Sequence, residues 1–236
     1  MTNIKSQMIN YPINAHSTPG YLAQPDDDTS APHPGVVVIQ EWWGLVPHIK
    51  DVADRFAREG FVALAPDLYH GQAADEPDEA RKLAMALDAN RAVQEIAAAA
   101  RYLKNQAHVA PKKVGVVGWC MGGGLSLSTA AHHADLIGAA IAFYGRPLSA
   151  GDTAKLQVPV LGLYAEHDHG IPVAAVKAFE DELKAHHIQH EIHIYMGADH
   201  AFFNDSRPHI YKPDAAADAW QKTLAWLKQY LKENQD

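Results

Sequence analysis

The chain has one cysteine, and its neighbours set the thiol up for chemistry. Cys120 follows the run Val114-Gly115-Val116-Val117-Gly118-Trp119 and precedes Met121-Gly122-Gly123-Gly124. A β-branched strand, a sharp glycine-flanked turn and a helix-like segment would present such a side chain as a nucleophile. Asp168 lies 48 residues beyond it and His200 a further 32, each just after a strand-like apolar run. A free thiol, with a pKa of about 8.5, is only a few per cent thiolate at neutral pH. A histidine in reach takes its proton, and a carboxylate behind the histidine fixes the tautomer and stabilises the imidazolium. A lone cysteine in an apolar segment is ordinarily a core residue. The flanking glycines and the downstream acid and histidine argue for the nucleophile instead. Glu166 is a nearby rival to Asp168.

An acyl-transfer site also needs donors for a developing oxyanion. The N–H of Met121, directly after the thiol, is one candidate. The N–H of Trp42, in the run Gln40-Glu41-Trp42-Trp43-Gly44 after an early strand, is the other. Glu41 is an acid at the end of a buried strand followed by two tryptophans, which is not a usual solvated charge. It reads either as a buried acid satisfied by backbone or as part of the site. The 15 histidines invite a metal reading, but no HExxH run occurs and no cysteine pairs with them at zinc spacing. No metal is expected. Gly122-Gly123-Gly124 lacks the lysine of a phosphate loop.

These residues need a scaffold that brings strand ends together. Val36–Gln40, Phe61–Ala65, Val114–Val117, Ile137–Phe143, Val160–Tyr164 and Ile192–Tyr195 are short runs with little polar alternation, as in strands covered on both faces. Helical patterns lie between most of them: Ile49–Arg58, Arg91–Leu103, Val173–Ala185 and Ala215–Leu231. Alternation of this kind predicts an α/β fold with a mostly parallel sheet and helices on both faces. Ligands bind such sheets at the carboxyl ends of the strands, where the three residues fall. Pro25 to Pro34 reads as a polar turn, and Met1 to Gly20 as a polar stretch broken by prolines.

Composition bounds the rest. At 236 residues the expectation is one domain over residues 1–236, with 47% hydrophobic residues to supply a core. The net charge of −8 argues against gripping nucleic-acid backbones. One cysteine rules out an internal disulfide. No signal-peptide pattern and no run long enough to span a bilayer are present, so a cytoplasmic protein without a membrane partner is expected.

Taken together, these residues resemble the dienelactone hydrolase family of the α/β-hydrolase fold. The resemblance rests on Gln40-Glu41-Trp42-Trp43-Gly44, Ala65-Pro66-Asp67-Leu68-Tyr69, Gly118-Trp119-Cys120-Met121-Gly122-Gly123, Phe143-Tyr144-Gly145, the Asp168 loop and Gly197-Ala198-Asp199-His200-Ala201-Phe202. It implies hydrolysis of a small ester or lactone without a metal or organic cofactor, with Cys120 as nucleophile, His200 as base and then acid, and Asp168 as the orienting carboxylate. It also implies that Glu41 contacts the resting thiol and helps deprotonate it when substrate displaces the glutamate. The substrate pocket is expected to include Trp43, Tyr144, His70 and Phe202. Two departures bear on substrate. The family places an arginine shortly after Leu-Tyr, where this chain has His70-Gly71, and another after the histidine loop, where it has Asn204-Asp205 with Arg207 slightly later. Loss of a bidentate carboxylate clamp is not a conservative change. The short connection from Phe143 to Val158 predicts an open cleft with no large lid. A thioesterase or acyl transferase would use the same triad, and a non-catalytic module could instead use Cys120 as a redox sensor.

Overall fold

The computed structural model describes residues 2–14, 16–27 and 31–231. Eight strands form one sheet: β1 (Ile4–Ile13), β2 (His16–Pro25), β3 (Gly35–Ile39), β4 (Val62–Pro66), β5 (Val114–Trp119), β6 (Ile137–Phe143), β7 (Val160–Ala165) and β8 (His190–Tyr195), in the spatial order β1-β2-β4-β3-β5-β6-β7-β8. β1 and β2 pair antiparallel, and β2 joins β4 antiparallel. Every other pairing, from β4 across to β8, is parallel. Parallel neighbours require crossovers, and the helices provide them.

The helices are α1 (Pro47–Arg58), α2 (Pro77–Ala86), α3 (Ala89–Lys104), α4 (Met121–His132), α5 (Ala150–Thr153), α6 (Val173–Ala185) and α7 (Pro213–Tyr230). Ile49, Val52 and Phe56 of α1 and Leu224 and Leu227 of α7 pack on one face of the sheet. Ile96 and Leu103 of α3, Leu127 of α4 and Phe179 and Leu183 of α6 pack on the other. All residues of β3, β4, β5 and β7 are buried, which is why they lack polar alternation. Each buried Val, Leu or Ile contributes about 1.5–3 kcal/mol relative to exposure. The α/β-hydrolase architecture expected from the sequence is therefore present. Among the described residues no helix is long and apolar enough to cross a membrane.

Two features differ from the sequence reading. The stretch before Gly20 is largely strand: β1 pairs along its length with β2, Pro12 facing Ser17. β1 is an edge strand that buries only Tyr11, so it needs no apolar alternation and tolerates proline. The polar turn from Pro25 to Pro34 begins as the last residue of β2, and its residues 28–30 lie outside the described residues. The second difference is α2. It is charged and buries only Ala80, so its periodicity is faint in sequence.

Candidate active site

β5 delivers Cys120. Trp119 at its end is fully buried and stacks on Phe143 of the neighbouring strand at 5.0 Å between ring centroids. The chain then turns sharply: Cys120 has φ 55° and ψ −119°, a conformation strained for a residue with a side chain. Two glycines make the turn possible. A Cβ on Gly118 would lie 2.0 Å from the Gly122 oxygen, and one on Gly122 would lie 2.4 Å from the Gln40 oxygen. α4 starts at Met121, directly after the thiol, so its N-terminal dipole favours negative charge there. The buried Ser126 hydroxyl bonds to the carbonyls of Gly123 and Ile141, tying α4 to β6.

β7 and β8 deliver the acid and the histidine. Asp168 is buried; its Oδ1 accepts from the N–H groups of Gly170 and Ile171 at 2.9 and 3.0 Å, and its Oδ2 lies 2.6 Å from His200 Nδ1. Burial works to raise the Asp168 pKa, but His200 and the two backbone donors outweigh it and hold the carboxyl below its usual range. Burial likewise works to lower His200, yet the hydrogen bond to Asp168, then the interaction with Cys120, push it up to about 10. Glu166, the rival acid, serves another end. Its Oε2 accepts from Gly197 N–H at 2.8 Å, and His167 N–H bonds the Ala198 oxygen at 2.9 Å. These two bonds lace the acid loop to the histidine loop.

β3 delivers Glu41 and the tryptophans. Glu41 is 1% exposed, and its carboxylate is held by two neutral donors: Tyr144 Oη at 3.2 Å and Asn204 Nδ2 at 2.6 Å. The Asn204 oxygen accepts in turn from Ser206 Oγ at 2.6 Å and Ser206 N at 3.1 Å, which fixes the orientation of its amide. Glu41 is thus satisfied by side chains rather than by backbone. Tyr69 also belongs to this assembly. Its hydroxyl donates to the Trp42 carbonyl at 3.1 Å and approaches Met121 Sδ at 3.6 Å, joining the two segments that carry the candidate oxyanion donors.

Two lobes of one cleft meet at Cys120, His200 and Trp42. The larger, of about 560 Å³, is walled by Met121, Leu125, Leu148 and Ile171, with Tyr144 and Arg146 also in its lining. The smaller, of about 330 Å³, holds Glu41, Trp43, Ile210 and Arg207. The Arg207 guanidinium lies 3.6 Å above the Trp43 ring.

The structure therefore brings together Cys120, Asp168, His200, Glu41, Trp42, Met121, Trp43 and Tyr144. It separates two others. His70 lines neither lobe; it faces another cavity beside Arg91, with Nε2 3.2 Å from Glu95 Oε1. Its left-handed φ of 53°, continued by Gly71 at 91°, turns the chain away from the thiol. Phe202 is fully buried and packs behind Tyr144 and Tyr195, bracing the pocket instead of lining it. Sequence reasoning missed Asn204 and Tyr69 as parts of the site. Asn204 drew notice only as the absence of an arginine, and its place four residues beyond His200 was the available signal. Among the described residues no group of three or more His, Cys, Asp or Glu is placed to hold a metal ion.

Comparison with known proteins places this geometry in a family. The sequence profile described as the dienelactone hydrolase family matches residues 18–231. "Protein usf" of Aquifex pyrophilus is 40% identical over 95% of this chain and 99% of its own length. A protein of Aquifex aeolicus, named "Putative carboxymethylenebutenolidase", is 35% identical over 96% of this chain and 99% of its own. The crystal structure of a Klebsiella pneumoniae protein described as a "Putative Dienelactone Hydrolase" superposes with a TM-score of 0.86 at 32% identity, covering 97% of this chain and all of that one. The chain belongs to the dienelactone hydrolase family and is a hydrolase of the ester and lactone type.

Proposed function

We propose that the protein cleaves a small ester or lactone through an acyl-enzyme on Cys120, with His200 and Asp168 completing the triad. The observation that carries this reading is the 2.6 Å contact between Asp168 and His200 in a cleft whose floor is the strained Cys120 turn. The Cys120 thiol gives its proton to His200, and the sulfur attacks the carbonyl carbon. The N–H groups of Met121 and Trp42 receive the oxyanion. The carbon–oxygen bond of the ester breaks, and His200 returns the proton to the leaving oxygen. Water then gives a proton to His200 and attacks the thioester; the carbon–sulfur bond breaks, releasing the acid and regenerating the thiol. The imidazolium favoured by Asp168 would stabilise the thiolate formed in the first step, and the two lobes would take the acyl and leaving groups.

Glu41, on this reading, bounds the smaller lobe beside Cys120, while Tyr144 and Asn204 keep it in place. Arg207 favours one narrower substrate. It brings a cation to the smaller lobe three residues beyond the position where the family arginine is missing, and among the described residues it has no carboxylate partner. A lactone or ester bearing a carboxylate close to the scissile bond fits that lobe.

The test is intact mass recorded alongside turnover on a panel of activated esters and lactones. The expected result is a transient acyl adduct that Cys120→Ala abolishes, with turnover lost in His200→Ala. A panel that produces neither adduct nor turnover overturns the reading.

A further inference from the structure

The larger lobe does not end at its own far wall. A second cavity of about 500 Å³ lies between the loop after β6 and helix α6, and the two share Arg146, Pro147, Leu148, Gly170 and Ile171. The far side of this second cavity is built from Ala175, Ala178 and Phe179 of α6, with Glu182 at its end. The two cavities thus adjoin across Leu148 and Ile171, one reaching Cys120 and the other α6.

Arg146 stands at the junction. Gly123 and Gly145 hold its loop against α4: a Cβ on Gly145 would fall 2.4 Å from the Gly123 carbonyl carbon. The side chain is exposed and, among the described residues, has neither an ion pair nor a side-chain hydrogen bond. Asp152 is held by Lys155 at 2.7 Å and by Ser149 at 3.0 Å, and Glu182 lies 3.8 Å from His186. Glu182 also puts negative charge at the far end of the second cavity, so an anion is favoured at the junction and opposed beyond it. On a chain of net charge −8, Arg146 is an unpaired guanidinium in the wall shared by the lobe at Cys120 and the second cavity, where an anion would be favoured.

Resting on the hydrolase reading above, we infer that the second cavity extends the substrate site and that Arg146 determines specificity for an ester whose apolar arm carries an anionic group, a carboxylate or a phosphate. The anion sits at Arg146 while the reacting carbonyl sits at Cys120, and the arm lies against Leu148 and Ile171. Arg207 serves the opposite lobe, so the two cations select independently.

The experiment compares activated esters of succinic, adipic and suberic half-acids with their methyl-capped neutral counterparts, and the reversed esters carrying the same arms on the alcohol side. The readout is the ratio of kcat/KM for the anionic over the neutral compound. A phosphate-terminated arm of the preferred length separates the two anion types. The wild-type ratio should peak at one arm length at about two- to fivefold, the value of an ion pair at a solvent-exposed guanidinium. It should collapse towards one in Arg146→Leu and recover in part in Arg146→Lys. Ala178→Trp, which fills the second cavity, should lower the rate on long arms relative to short ones. A wild-type ratio near one at every length on both sides, or a ratio unchanged in Arg146→Leu, overturns the inference. If esters of every kind resist hydrolysis, the hydrolase reading fails on its own. Calorimetry of adipate and suberate binding to wild type and Arg146→Leu then decides the subsite, with equal affinities counting against it.

Discussion

Asn204 and Glu41 are bonded through the shortest contact that the buried glutamate makes, Nδ2 to Oε2 at 2.6 Å. A carboxylate out of water needs its lone pairs satisfied, and here an amide and the Tyr144 phenol do so without a cation. A neutral clamp holds the acid in position.

Asn204→Leu leaves one side of that carboxylate unbonded and should cost about 1–3 kcal/mol of stability. Asn204→Asp is more diagnostic. Two carboxylates at hydrogen-bond distance cannot both ionise, so the folded state holds a proton that the unfolded chain releases near pH 4. The folded-state pKa is then raised, and the variant should lose stability as pH rises from about 4. Melting temperatures across pH check this, and a deficit equal in acid and at neutrality counts against the clamp.

Asp168→Asn removes the main support for the raised His200 pKa. In wild type that pKa stands at about 10 against an ordinary 6.5, so the histidine's share of the stability is full below 6.5 and fades as pH rises towards 10, while Asp168, held below its usual range, loses its share in acid. The variant should titrate below the wild-type value by NMR of the imidazole and lose that part of its stability profile. Turnover should fall by roughly 10²–10⁴-fold, since the imidazole loses its orienting partner. An unshifted titration would mean that Cys120 alone sets the histidine.

Gly122→Val forces a side chain against the Gln40 and Ile39 carbonyl oxygens, which a Cβ would approach at 2.4 and 2.6 Å. Both oxygens belong to backbone and cannot swing aside. A loss of at least about 1–3 kcal/mol, or failure to fold, is expected in urea denaturation. A stable, fully active variant would contradict the packing described for the turn.

Tyr69→Phe deletes the hydroxyl that joins the Trp42 carbonyl to Met121. Stability should fall by about 0.5–1.5 kcal/mol. If the two flanking N–H groups hold the oxyanion, kcat should drop more than KM rises, because the donors matter most in the transition state. Equal changes in the two constants would reduce Tyr69 to a structural prop.

What the amino-acid sequence determined by itself was whatever local periodicity and turn chemistry encode. The strands from β3 to β7 were legible because burial on both faces removes polar alternation, whereas β8, expected to be covered in the same way, is a half-exposed edge strand; Cys120 was legible because only glycines permit the close approaches around it. Asp168 and His200 stood out as polar residues at strand ends. Tertiary structure alone decided what depends on direction and on distant partners. β1 was hidden because an edge strand carries little apolar signal, and α2 because it buries one residue. His70 follows the site motif in sequence yet leaves the site, since a left-handed turn sends it towards Glu95. Glu41 meets Asn204, 163 positions away, through the strand order of the sheet. No local pattern encodes such a pairing, because it is created only when parallel strands bring their carboxyl ends to one edge.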